Sequence, residues 1–311
     1  MRKVNLCMPL SFRRPLISDR AAVSAAVSQS GARENDAAFA NLYLLREKYA
    51  IEIALREGML FRRYGAGFRA GCWGFPLGTG DLRAAMQLLA EDAAAQSLPL
   101  RLTLLTEAQC DTLRTLYPDA FVFTQAEGYT EYLYRRENLA EMKGSKYHGK
   151  RNHMAQFWRG YPTAEIQPLI AENACYAVEI AEQWLAHRAD PEEPSLLYEL
   201  SCIREAAAHF AELGMTGLLL YAEGKPIGME MLSEISPGIW DVHFEKVVYG
   251  YPHAWSVVVN ETAKCLTEAD YLNREEDLGE SGMRSSKQSY HPDIAQEKYI
   301  AECVKPEVFS C

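Results

Sequence analysis

The chain has no cysteine pair at CxxC spacing, no long apolar run, no low-complexity tract and no excess of positive charge. Each absence removes a class of function. The eight cysteines (Cys7, Cys72, Cys110, Cys175, Cys202, Cys265, Cys303, Cys311) are scattered, several of them in apolar segments where a thiol acts as a small hydrophobe. Such usage suits a reducing compartment and offers neither a disulfide framework nor a structural zinc site. A membrane helix needs about 18 or more consecutive apolar residues, so no membrane span is expected. A formal net charge of −10 argues against non-specific nucleic-acid binding over the whole surface. Met1-Arg2-Lys3 and the short apolar run after it imitate a signal peptide. Pro9 and Phe12-Arg13-Arg14-Pro15 interrupt it, and no small-residue cleavage site follows. It reads as the opening edge of a first domain in a cytoplasmic protein.

What is present is 311 residues with 48% apolar and 24% charged side chains, an ordinary globular balance with room for two domains. Phe39, Leu42 and Leu45 at helical spacing predict a helix over 36–46. Short strand-like runs follow at 49–56, 59–64 and 68–75, separated by Gly58 and by Gly65-Ala66-Gly67. Asp81 caps a helix carrying Leu82, Ala85, Met86 and Leu89, and 100–105 reads as a strand. Thr106-Glu107-Ala108-Gln109 is a capping box, and 121–124 is a further strand. The second half repeats the order: helices over 174–185 and 195–213, strands over 215–223, 226–235 and 239–248, a helix from Ala254, a strand near Tyr271, a helix over 282–290 and a strand over 297–304. This is an α+β order, that of the GNAT (acyl-CoA N-acyltransferase) fold, written twice. It predicts tandem GNAT-like domains, 1–140 and 141–311, each a mixed, mostly antiparallel sheet flanked by helices. The other reading of the same pattern is one larger mixed sheet.

Three stretches carry a more specific signal: Gly144-Ser145-Lys146-Tyr147-His148-Gly149-Lys150-Arg151-Asn152-His153; Val242-His243-Phe244-Glu245-Lys246; and Leu272-Asn273-Arg274-Glu275-Glu276-Asp277-Leu278-Gly279, continuing to Pro292. Together they resemble an uncharacterised bacterial family named for similarity to the C-terminal domain of phosphatidylglycerol lysyltransferase. The resemblance implies a tandem GNAT fold related to the Fem-type aminoacyl transferases. The resemblance supplies no reaction of its own; the function expected is acyl or aminoacyl transfer to an amine, with acyl-CoA or aminoacyl-tRNA as donor.

A GNAT fold binds the cofactor pyrophosphate at the turn entering the helix after the third meander strand, where backbone N–H groups are unpaired. In the first half that turn is Gly78-Thr79-Gly80, but Asp81 would set a carboxylate beside the phosphates and serves equally as a plain cap. In the second half it is Tyr249-Gly250-Tyr251-Pro252-His253, with a single glycine and a proline that has no donor. Coenzyme A is therefore expected to bind weakly or not at all. The glycines at Gly65 and Gly67 lie between two strands, the wrong context for a dinucleotide fingerprint.

The segment 143–159 is the strongest basic feature. Lys146, Lys150 and His153 fall on one helical face, with His148 and Arg151 nearby, and predict either a phosphate-binding surface for a tRNA acceptor end or a solvated helix. His243 and Glu245 alternate along one strand and are expected to share a face, with Glu245 as general base or as a structural partner of an arginine such as Arg274. Asn273, Arg274, Glu275 and Asp277, with Lys287 and Tyr290, form either a site for a small anionic or amine substrate or a bracing salt-bridge network. No spacing signature supports a metal site. The rival to a transferase is a catalytically silent GNAT-fold protein holding a small anionic ligand.

Overall fold

The computed structural model describes residues 9–309. The reading of the first residues as a domain edge, together with Cys7 and Cys311, lies outside them. In chain order the strands are β1 Ile51–Arg56, β2 Met59–Tyr64, β3 Cys72–Trp73, β4 Leu77–Gly78, β5 Arg101–Leu105, β6 Phe121–Gln125 and β7 Glu131–Arg135. They continue with β8 Glu165–Leu169, β9 Met215–Ala222, β10 Lys225–Ser236, β11 Ile239–Val247, β12 Tyr271–Glu276, β13 Ile294–Gln296 and β14 Tyr299–Cys303. The helices are α1 Arg20–Ser30, α2 Phe39–Leu44, α3 Leu82–Ala95, α4 Glu107–Leu116, α5 Arg136–Glu141, α6 His148–Gly160, α7 Cys175–Ala186, α8 Pro194–Ala208, α9 Ala254–Cys265 and α10 Ser281–Gln288. No helix among the described residues is long and apolar enough to cross a membrane.

The fold is α+β, with two mixed sheets flanked by helices. The first runs β1-β2-β3-β5-β14-β6, with β4 also paired to β2; the second runs β13-β7-β12-β11-β10-β9-β8. β5 and β12 lie in different sheets, so the single-sheet reading fails. Two compact units carry these sheets: 1–32, 45–130 and 296–311 in one; 33–44 and 131–295 in the other. Where the sequence divides the chain at 140/141, the units are threaded. Residues 33–44 and β7 build into the second, and β14 returns from the chain's end to sit between β5 and β6 of the first.

Local chemistry explains most elements. Glu57 and Gly58, both at positive φ, turn β1 into β2, and Glu223 and Gly224 do the same between β9 and β10. Asp81 Oδ1 accepts from the N–H groups of Arg83 and Ala84 to start α3. At α4 the Thr106 and Gln109 side chains each accept from the other's backbone N–H at 3.3 and 3.0 Å, the reciprocal capping box. The strand expected over 68–75 is mostly absent. Gly67–Arg69 is a 3-10 turn there, because the Arg69 guanidinium buries over the rings of Tyr49, Tyr64 and Phe68.

In the second unit the meander β9-β10-β11 is antiparallel and β12 joins β11 in parallel after α9. One face of this sheet packs Leu232, Val242 and Leu272 against Leu139 of α5 and Val259 and Ala263 of α9. Farther along, Leu218, Leu220 and Val247 pack against Phe157 of α6 and Val257 and Val258 of α9. Burying each such side chain contributes roughly 1.5–3 kcal/mol. That apolar face frames the polar side chains described next.

Candidate functional site

Register decides which polar groups meet. β10 and β11 pair Glu230 with Glu245 and Met231 with Phe244, but Leu232 pairs with Val242, so His243 is an extra residue in a bulge. Beyond it Ser233 pairs with Asp241. Ser233 and Glu230 are three residues apart and point to opposite faces, and their partners Asp241 and Glu245 do likewise. The expectation that His243 and Glu245 share a face is therefore wrong. Two-residue alternation holds only in an unbulged strand.

On the α9 face, Arg274 Nη2 donates to Glu245 Oε2 at 2.7 Å, with side chains only 9% and 12% exposed. The Arg274 guanidinium lies 4.7 Å from the Tyr290 ring centroid and 5.6 Å from that of Tyr134. Lys150 Nζ stands 3.6 Å from the Tyr290 centroid. Burial, and then the Arg274 charge, push the Lys150 ammonium down to about 8 against the opposing pull of Glu245. Burial pushes the Tyr290 phenol up to about 12. Beside Glu245, fully buried Glu230 is held well above the usual carboxylate range by burial and by the neighbouring carboxylate. Among the buried atoms here that have no hydrogen-bond partner are Arg274 Nη1, a donor, and Glu230 Oε2. An unsatisfied buried polar atom costs about 1–3 kcal/mol, which a bound ligand would relieve.

On the other face, His243 Nε2 is 2.7 Å from Ser233 Oγ and its Nδ1 is 3.1 Å from Asn41 Oδ1. Asn41 Nδ2 donates to Asp241 at 2.8 Å and to Glu275 at 3.1 Å. Burial lowers His243 to about 3, so the ring is neutral. Burial, and then Glu276, raise Glu275 to about 8. A second irregularity, between Asn273 and Glu276 in β12, separates Arg274 from Glu275, which sits at φ +56.

These two clusters lie in a chain whose family can be stated. The family model described as phosphatidylglycerol lysyltransferase, C-terminal, matches residues 28–302. The chain belongs to this family. A crystal structure of a conserved protein of unknown function from Bacteroides thetaiotaomicron VPI-5482 is similar at 30% identity and TM-score 0.89, over 94% of this chain and 99% of that one. L-PGS from Bacillus licheniformis is similar at 13% identity and TM-score 0.63, over 92% of each chain. The C-terminal domain assigned to a lysylphosphatidylglycerol synthetase in Agrobacterium fabrum matches at 14% and 0.62, again over 92% of each. At those identities the last two speak for fold alone. Comparison with curated proteins finds no match.

Within this lysyltransferase-type fold the remaining candidates separate. Lys146 and His148 are exposed. Arg151 is spent on the carbonyls of Met142 and Gly144, which braces the entry to α6. The His153 ring stacks on His253 with centroids 4.5 Å apart. Asn273 Nδ2 donates to the Arg33 carbonyl and to Glu131, a structural tie. Burial would raise Asp277, but hydrogen bonds from Arg284 and Tyr132 hold it at about 2 in a brace for the start of α10. Lys287 Nζ donates to the carbonyls of Arg274 and Glu276, so it ties β12 to α10. Of the basic segment, only Lys150 joins the Glu245–Arg274 cluster.

A Cβ on Gly78 would lie 2.3 Å from the Gly58 carbonyl oxygen, so this glycine serves packing against the β1–β2 hairpin. At α9 the N-cap is His253 at φ +69, stacked under His153. Sequence reasoning missed Glu230, Asp241, Asn41 and Tyr134. A glutamate inside the apolar run Ile227–Leu232 was the available signal for the first, since an acid there is either functional or mispaired.

Proposed function

We propose that the α9 face of the second sheet carries transfer of an aminoacyl group from an activated ester, such as the acceptor end of a charged tRNA, to a nucleophile that is preferably an amine. The observation that supports this reading most is the buried Glu245–Arg274 pair flanked by two unpartnered atoms, Arg274 Nη1 and Glu230 Oε2. Arg274 Nη1 donates to the ester carbonyl oxygen, whose negative charge grows as the amine attacks. The C–N bond forms as Glu245 takes the amine proton, and the ester C–O bond breaks as Glu245 passes that proton to the departing oxygen. The ion pair fixes Glu245 in orientation, and no covalent enzyme intermediate is needed. Lys150, with its lowered proton affinity, and the exposed Lys146 and His148 on the same segment would receive the anionic part of the donor. The activity that the family is described by, lysyl transfer to phosphatidylglycerol, makes a lipid-headgroup hydroxyl the alternative acceptor.

One observation favours the silent-binding reading: Glu245 is engaged by Arg274, so an anionic ligand could displace it without chemistry. Calorimetry separates donor classes. A short non-hydrolysable 3′-aminoacyl-adenosine analogue is expected to bind more tightly than acetyl-coenzyme A. Low-micromolar affinity for acetyl-coenzyme A with none for the analogue would reject the ester donor.

A further inference from the structure

The opposite face of the same sheet gathers the carboxyl groups of Asp241, Glu275, Glu276 and Glu131. Asp241 is fully buried, and its acceptor environment includes Glu275, Glu131 and Glu276. Glu131 and Glu276 are themselves cross-strand partners in β7 and β12. Like charges opposed on a sheet are destabilising, and an isolated buried carboxylate is far more so. Lys287, the cation that acts on Asp241, has its ammonium turned onto two backbone carbonyls. Asp241 Oδ2 receives the Asn41 amide, but Asp241 Oδ1 is buried with no partner.

Asp241, His243 and Glu275 each present one ligand atom, and these atoms lie within 4.8 Å of one another. An imidazole ligates through an unprotonated ring nitrogen. Its Nε2 faces the Ser233 hydroxyl, which leaves Nδ1 turned toward Asn41 and, at 3.4 Å, Asp241. A ligating histidine has its outer nitrogen held by a second group in the same way. The Asn41 amide lies between the carboxylates and the ring, and its oxygen and nitrogen exchange places by a half-turn of the side chain.

We propose that Asp241, His243 and Glu275 bind a divalent first-row transition ion, Zn2+ or Mn2+, with the Asn41 amide oxygen as a further ligand. Two carboxylates, an imidazole and an amide oxygen suit these ions better than a thiolate-seeking or all-oxygen-seeking one. Metal–ligand distances of about 2.0–2.2 Å require the side chains to draw in from their present spacing by roughly an ångström. The ion would pin β11, β12 and α2 together. It lies on the face opposite the transfer cluster and does not depend on that assignment.

The test uses the full chain stripped with EDTA, then titrated by calorimetry separately with Zn2+ and with Mn2+, and followed by thermal unfolding. The expected result is close to one equivalent of one of these ions per chain with a raised Tm. D241N should weaken binding at least tenfold and abolish the Tm gain. E275Q serves as a second variant should D241N fold poorly. The C175S/C265S double variant removes the thiols that are exposed among the described residues, which could take up zinc adventitiously, and should bind as the wild type does. No saturable binding, or binding unchanged in D241N and E275Q but lost in C175S/C265S, overturns the proposal. Transfer activity is not the readout, so failure here leaves the transfer site untouched.

Discussion

At the scale of single residues, Glu245 and Arg274 carry different burdens although they form one pair. Glu245→Gln keeps the bulk and removes the proton acceptor, so turnover should fall at least a hundredfold while donor affinity stays within a few-fold, measured by single-turnover assay and calorimetry. Arg274→Ala leaves Glu245 buried without its cation, which costs about 3–5 kcal/mol of stability by urea unfolding. Arg274→Lys is the better functional probe because it keeps the charge. Lys150 gives a pH signature. Its folded proton affinity is depressed to about 8 from 10.5, so between these values the unfolded chain binds more protons and stability rises with pH. The Tm of the wild type relative to Lys150→Met should therefore shift in the wild type's favour between pH 8 and 10. A difference independent of pH would show that Lys150 is solvated.

At the scale of elements, the bulge at His243 and the irregularity after Asn273 sort the polar side chains between two faces. This part of the site was not legible in the sequence. Val242-His243-Phe244-Glu245 reads as plain alternation, and a bulge depends on the partner strand, which sequence spacing does not reveal. The Glu245–Arg274 pairing, by contrast, was among the readings the residues allowed, because a buried glutamate on a strand needs a cation. Glu230 depends on close approach of its own strand to β9, where Gly217 faces it. A Cβ on Gly217 would lie 2.1 Å from the Glu230 carbonyl oxygen and 3.0 Å from Leu169. Gly217→Ala should cost about 1–3 kcal/mol and lower activity, whereas Gly149→Ala, with open space around it, should be neutral or slightly stabilising. Paired denaturation curves check both.

At the scale of the whole molecule, the repeated helix–meander–helix–strand order was readable because hairpin turns such as Glu57-Gly58 and caps such as Asp81 are local signals. The threading was not. Glu131 to Tyr134 is buried throughout, so β7 shows no alternation to mark it, and nothing local tells β14 to enter the first sheet. Ending the chain after Glu297 removes β14 from between β5 and β6 and exposes two strand edges. Such a chain should lose cooperative unfolding of the first unit and aggregate; unchanged cooperativity would mean that β14 is dispensable. The central claim is that an aminoacyl group is transferred at the Glu245–Arg274 pair. It is tested most directly by following labelled amino acid from a panel of charged tRNAs to amine acceptors and to phosphatidylglycerol vesicles. Wild type and Glu245→Gln are assayed side by side at matched donor occupancy. Transfer by the wild type that is lost in Glu245→Gln is the result expected. Equal transfer by both proteins, or donor binding with no transfer by either, would contradict it.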